Sequence, residues 1–166
     1  LPIYEFVGLE HLDKRKPSLL VGNHSIFAYD VAFLLVELKL QKDIQVRALG
    51  DRIHDKIPYW RDLLENYGVV PATPENCTQL MAAKEHILVF PGGAREAMKG
   101  RGEEHRLFWK KRTGFARMAV ANKYPITPFF VYGADLGYDI LWDYSRMKKN
   151  RILAPLFKKQ SRLNAL

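Results

Sequence analysis

The 166-residue chain carries 26 Lys and Arg against 18 Asp and Glu, a formal charge of +8, and is 48% hydrophobic. That length and apolar content describe one packed domain over residues 1–166 and exclude a disordered chain. No apolar run reaches about 18 residues, so the sequence itself does not span a membrane, and the single Cys77 excludes an internal disulfide and reads as a buried thiol. Starting at Leu1 rather than Met, the chain reads as a segment of a longer protein, with a preceding membrane anchor left open.

In chain order, alternation at Ile3, Tyr4, Phe6 and Val7 predicts an edge strand, followed by a polar loop with His11 at the surface. Leu19, Leu20 and Val21 form a buried strand closed by Gly22 and Asn23. From Ile26 the apolar spacing is helical to about Leu38. Residues 44–50 alternate and end in Gly50, a second strand feeding Asp51 and Arg52. A helix over residues 58–67 aligns Tyr59, Trp60, Leu63, Leu64 and Tyr67 on one face, which suits a core, an acyl groove or a membrane interface. Val69, Val70 and Pro71 give a third strand, and Thr73-Pro74-Glu75 starts a helix running to about Glu85 with a cap, a proline and an acid in order. Residues 86–90 are a fourth strand, residues 99–112 a basic loop, residues 114–122 a helix and residues 126–132 a core strand. Strands alternating with helices predict a largely parallel central sheet with helices on both faces.

Two stretches carry chemistry. His24 and Asp30 follow the first strand, and because six helical steps leave side chains roughly 120° apart, they meet only if His24 lies in the turn before the helix. A carboxylate on one ring nitrogen then leaves the other free to take a proton from a hydroxyl. The second stretch, Phe90-Pro91-Gly92-Gly93-Ala94-Arg95-Glu96-Ala97, repeats the design of a strand broken by a turn with charged residues beyond it. Ligands of parallel α/β sheets collect outside the carboxyl ends of the strands, and His24, Asp51, Arg52, Arg95 and Glu96 all follow strand ends. The five His residues lack metal-ligand spacing, and His54, His86 and His105 read as surface or loop positions.

Asn23-His24-Ser25 with Asp30, and the Phe-Pro-Gly-Gly-x-Arg-Glu-Ala stretch, resemble the first and third blocks of the glycerolipid acyltransferases, the lysophospholipid and PlsC-like superfamily. The second stretch is similar to the neutral-lipid branch, which includes diacylglycerol acyltransferase type 2 relatives, phytyl ester synthases and TMEM68-like proteins. Five residues rather than the usual four separate His24 from Asp30, and Gly92 stands where the usual motif has Glu. Ala72 and Thr73 occupy the region where phosphate-using relatives carry an Arg. The resemblance implies transfer of a fatty acyl group from acyl-CoA as co-substrate, or from an acyl carrier protein or a lipid donor, to a lipid hydroxyl, with no other cofactor and no metal; the alternative from another class is a catalytically silent lipid-binding module of the same fold. His24 would be the general base and Asp30 its orienting acid, with Asn23, Arg52, Pro91, Gly92, Gly93, Arg95 and Glu96 at the substrates. Backbone N–H groups of the Gly92-Gly93 turn or the Arg95 guanidinium would face the oxyanion, and Arg95 equally suits a structural clamp on Glu96 or Asp30. The missing charge at positions 72, 73 and 92 favours a neutral acceptor such as diacylglycerol, monoacylglycerol or a long-chain alcohol over lysophosphatidate, with Arg47, Arg52 or Arg95 as substitute phosphate ligands in the alternative.

The basic excess sits in residues 99–117 and 146–162. Basic surfaces attract nucleic acid, anionic lipid or the phosphates of coenzyme A. No nucleic-acid-binding signature accompanies the charge, so the expected partners are acyl-CoA, a lipid acceptor and a membrane surface. For a lipid enzyme this implies association with the cytoplasmic face of a membrane, the endoplasmic reticulum in a eukaryote.

Overall fold

A computed structural model describes residues 4–51, 54 and 58–137. Five short strands, β1 (Leu19–Val21), β2 (Val46–Gly50), β3 (Val69–Pro71), β4 (His86–Val89) and β5 (Ile126–Pro128), form one sheet in the order β3-β2-β4-β1-β5. Every pairing is parallel, with Leu19 opposite both Ile87 and Ile126. Five α-helices accompany them among the described residues: α1 (Tyr29–Lys42), α2 (Trp60–Asn66), α3 (Pro74–Ala82), α4 (Gly93–Ala97) and α5 (Gly114–Ala121).

The central strands read as continuous apolar runs because both faces of the sheet are covered. On one face Leu19, Val21 and Ile87 pack with Cys77 and Met81 of α3 and Ala119 of α5. On the other, Leu20, Leu88 and Val46 pack with Ile44 and with Leu38 of α1. Leu19, Ile87 and Leu88 are fully buried, and each such side chain contributes roughly 1.5–3 kcal/mol by leaving water. Helices therefore cover both faces, as the alternation predicts. Thr73 caps α3 by accepting a hydrogen bond from the Asn76 N–H at 3.1 Å, with Pro74 in the first turn.

Four expectations are corrected. Residues 4–7 form no strand: Tyr4 stacks on Phe33 of α1, ring centroids 4.3 Å apart, so its apolar contact goes to a helix rather than to a sheet neighbour. The fifth strand is a half-exposed three-residue edge, Ile126–Pro128, because it lies at the end of the sheet order with β1 on one side. His86 is buried at the start of β4 rather than lying at the surface. The aromatic face of α2 is not core, since Tyr59 and Tyr67 are 87% and 68% exposed and the helix buries none of its residues.

Candidate active site

The turn after β1 is built almost entirely from side chains reaching in from elsewhere. Asn23 is buried and bonds the backbone of Val131 twice, donating to its carbonyl at 2.9 Å and accepting from its N–H at 2.7 Å. The side chain thereby extends the β1–β5 pairing beyond Pro128. Residues 26–28 form a single 3₁₀ turn in which Phe27 and Ala28 both have φ 56°, an unusual left-handed pair of the kind that persists only where its surroundings enforce it. The enforcement is visible. Ile26 donates its N–H to Asp135, and the Tyr29 hydroxyl donates to the Ala134 carbonyl.

His24 lies in this turn, ahead of α1, half-buried against Phe90 with ring centroids 4.6 Å apart. Phe90 in turn meets the edge of Phe129, whose ring lies so close to Gly22 that a Cβ there would sit 2.3 Å from it. His24 Nδ1 is 2.8 Å from the Ser25 carbonyl oxygen, a contact that requires Nδ1–H and leaves Nε2 as the basic nitrogen. Burial pushes the imidazole below its ordinary range; the Ser25 carbonyl and the charges of Asp30 and Glu96 oppose that, and Lys99 adds to it. The ring is neutral at pH 7 and able to accept a proton.

Asp30 is buried in the first turn of α1. It accepts a hydrogen bond from the Ser25 hydroxyl, while the oxygen facing His24 Nδ1 is the Ser25 carbonyl. Asp30 therefore acts on the imidazole through its charge and through Ser25, and the direct carboxylate–imidazole bond expected from the sequence is replaced by a backbone carbonyl.

The Pro91-Gly92-Gly93 turn stands beside β1 because β4 pairs with it. The Gly93 N–H is taken by the Phe90 carbonyl at 2.9 Å. Arg112 donates to the Pro91 and Gly92 carbonyls at 3.0 and 2.7 Å. Arg95 pairs with Glu103 at 2.5 Å and lies over the Phe108 ring, a clamp whose partner is neither Glu96 nor Asp30. Glu96, expected at the substrates, is fully buried; it accepts the His24 N–H at 2.5 Å and the Phe108 N–H at 2.8 Å. Arg52 lies outside the described residues.

Sequence reasoning missed Lys99 and Asp135. They form a buried ion pair at 2.6 Å, and Lys99 also donates to the His24 carbonyl at 2.7 Å. Burial alone would raise the Asp135 carboxyl, but hydrogen bonds from Lys99, His105 and Ile26 outweigh it and hold the group below its ordinary range. The rule that singles out residues after strand ends points to Asp135 when applied beyond β5; Lys99 was absorbed into a basic loop and left no such signal.

A neutral histidine with one nitrogen anchored, at the carboxyl end of a central parallel strand and beside a Gly-Gly turn, suits abstraction of a hydroxyl proton during group transfer. The acyltransferase family profile matches residues 3–132 of this chain. The chain belongs to the acyltransferase family. Among characterised relatives of this acyltransferase-family domain, it is 32% identical to "Phytyl ester synthase 2, chloroplastic" of Arabidopsis thaliana, over 93% of this chain and 23% of that protein. It is 27% identical to the human "DGAT1/2-independent enzyme synthesizing storage lipids", over 81% of this chain and 41% of that protein. With "Diacylglycerol O-acyltransferase 2" of Dictyostelium discoideum it shares 31% identity over 58% of this chain and 30% of that protein. The acyltransferase-family domain thus spans about a quarter of the plant relative and two fifths of the human one. No solved structure gives a significant match.

Proposed function

We propose that this domain transfers a fatty acyl group from acyl-CoA to the hydroxyl of a neutral lipid. The observation that carries the reading is His24 itself, neutral, anchored through Nδ1 to the Ser25 carbonyl and placed beside the Gly-Gly turn. In this mechanism His24 Nε2 takes the proton of the acceptor hydroxyl as its oxygen attacks the thioester carbonyl. The negative charge gathers on the former carbonyl oxygen, the carbon–sulfur bond breaks, and the departing thiolate takes the proton back from the imidazolium. With the Gly93 N–H bonded to Phe90 and Arg95 to Glu103, the Gly92 N–H is the donor of this turn assigned to the oxyanion.

A phosphate-bearing acceptor needs a fixed cation, best an Arg fork. Ala72 stands at the end of β3 instead, and the Thr73 hydroxyl is committed to capping α3. The names of the plant, human and Dictyostelium relatives refer to phytyl esters, storage lipids and diacylglycerol, which agrees with a neutral acceptor. Competition tests the acceptor class: full-length protein given labelled acyl-CoA with lysophosphatidate and diacylglycerol together in mixed micelles is expected to make predominantly neutral ester. Predominant formation of phosphatidate would overturn the assignment, with Arg47 or Arg52 then the phosphate ligand to test.

A further inference from the structure

Gly92 and Glu96 belong to one device. A Cβ at Gly92 would lie 2.1 Å from Glu96 Oε2 and 2.5 Å from Glu96 Cβ. The backbone at Gly92, φ −68° and ψ −25°, suits any residue, so what position 92 excludes is side-chain volume rather than a conformation. The space is occupied by a fully buried carboxylate whose two oxygens are divided between the His24 N–H and the Phe108 N–H. Behind the same turn, Lys99 Nζ holds the His24 carbonyl and Asp135 holds the Ile26 N–H. The peptide groups on both sides of His24 are therefore gripped by charged side chains that water does not reach.

Burying three charged groups in this way is costly unless each is fully bonded, and such networks fix one arrangement of the groups that they hold. The charges are spent on one short turn, whose left-handed Phe27 and Ala28 would otherwise relax. Position 92 itself carries no carboxylate, and that of Glu96 is turned inward.

We propose that Glu96, seated in the space vacated at Gly92 and backed by the Lys99–Asp135 pair, is the positioning residue of His24, fixing its backbone so that Nε2 faces the acceptor hydroxyl. The inference rests on His24 being the base. Glu96 acts through His24 and touches no substrate.

Two substitutions reach the same contact by different routes. Glu96→Gln keeps the shape, but its amide nitrogen cannot accept a hydrogen bond, so one of the two N–H groups loses its partner. Gly92→Ala leaves every charge in place and drives a methyl group into the carboxylate. In full-length protein each is expected to lower kcat about 100-fold, the scale of a misplacement of about 1 Å, with KM for acyl-CoA within a few-fold and an unchanged circular dichroism spectrum. Combined, they are expected to cost little more than either alone, since both break one contact.

A readout independent of turnover is the titration of His24 by NMR in histidine-labelled protein. The charged groups acting on that ring are Asp30 of α1, Glu96 of α4 and Lys99 of the following loop. Removing the negative charge in Glu96→Gln is expected to shift its titration to lower pH, and removing the positive charge in Lys99→Met to shift it to higher pH. Additive losses in the double variant, an unmoved His24 titration, or failure of both single variants to fold would each overturn the proposal, the last by making the carboxylate a core strut. Should wild type show no acyl transfer while the His24 titration still moves as stated, the positioning contact stands and the assigned reaction falls.

Discussion

His24→Ala is expected to lower acyl transfer by about 10²- to 10⁴-fold, the usual contribution of a general base, with the fold retained, because the ring lies against Phe90 at the edge of the core rather than within it. Near-wild-type turnover by a folded variant would refute the role. Burial depresses the imidazole below its ordinary 6.5, so the acid limb of kcat/KM is expected to have its midpoint below 6.5; a midpoint above 6.5 would contradict this. The same shift bears on stability. Below 6.5 the unfolded chain takes up a proton at this residue before the folded one does, so the contribution of His24 is complete above 6.5 and is lost as pH falls toward the folded value. His24 was legible in the sequence because a strand run, a turn and a helix start bracket it within a few positions. The Ser25 carbonyl that anchors it was not, since any residue carries a carbonyl and only the bend of the turn aims this one.

Elements were legible in proportion to how local their causes are. The start of α3 is written in three consecutive residues, and Thr73, Pro74 and Glu75 take the cap, the first helical position and the first turn. The extent of β5 is governed from far away: past the Phe129 N–H, which bonds the Val21 carbonyl, Asn23, more than 100 positions earlier in the chain, continues the ladder with a side-chain amide. Periodicity in residues 126–132 cannot register that substitution. Asn23→Leu removes both bonds and leaves the Val131 N–H and carbonyl unpaired, which is expected to cost about 2–6 kcal/mol at roughly 1–3 kcal/mol for each group left unsatisfied. Urea unfolding of the variant checks it, and a loss below about 0.5 kcal/mol would show that water replaces the amide. The failed edge strand at residues 4–7 teaches the converse lesson: alternation supplies a face, and Phe33 of α1 rather than a neighbouring strand claims Tyr4.

At the scale of the whole molecule, no helix among the described residues is long and apolar enough to cross a membrane. The exposed aromatic face of α2 and the net charge of +8 are surface properties. The basic stretch at residues 146–162 lies outside the described residues, and its behaviour is a prediction from sequence. At about 1 kcal/mol for each basic residue near an anionic surface, its Lys and Arg residues are expected to hold the protein on vesicles containing phosphatidylserine at low salt. Charge reversal of Lys148, Lys149, Lys158 and Lys159 to Glu should release it. Equal cosedimentation of wild type and variant would remove the tail from any membrane role. The sheet order β3-β2-β4-β1-β5 was not legible, because neighbours in a parallel sheet are chosen by tertiary packing and not by anything within a strand.

That order also governs how the chain is made. On the ribosome β1 emerges with no strand to join, since its two neighbours are β4 and β5, the last of the described strands to be synthesised. Leu19, Leu20 and Val21 are expected to stay exposed while β2 and β3, adjacent in both sequence and sheet, pair first. Closing the long β1–β4 loop must be completed before its contacts reward it, which is expected to slow folding and to leave an apolar strand open to wrong partners in the interval. His24 and Glu96 sit on the two sides of that closure, so the nascent chain acquires its site only when β4 has been inserted between β1 and β2.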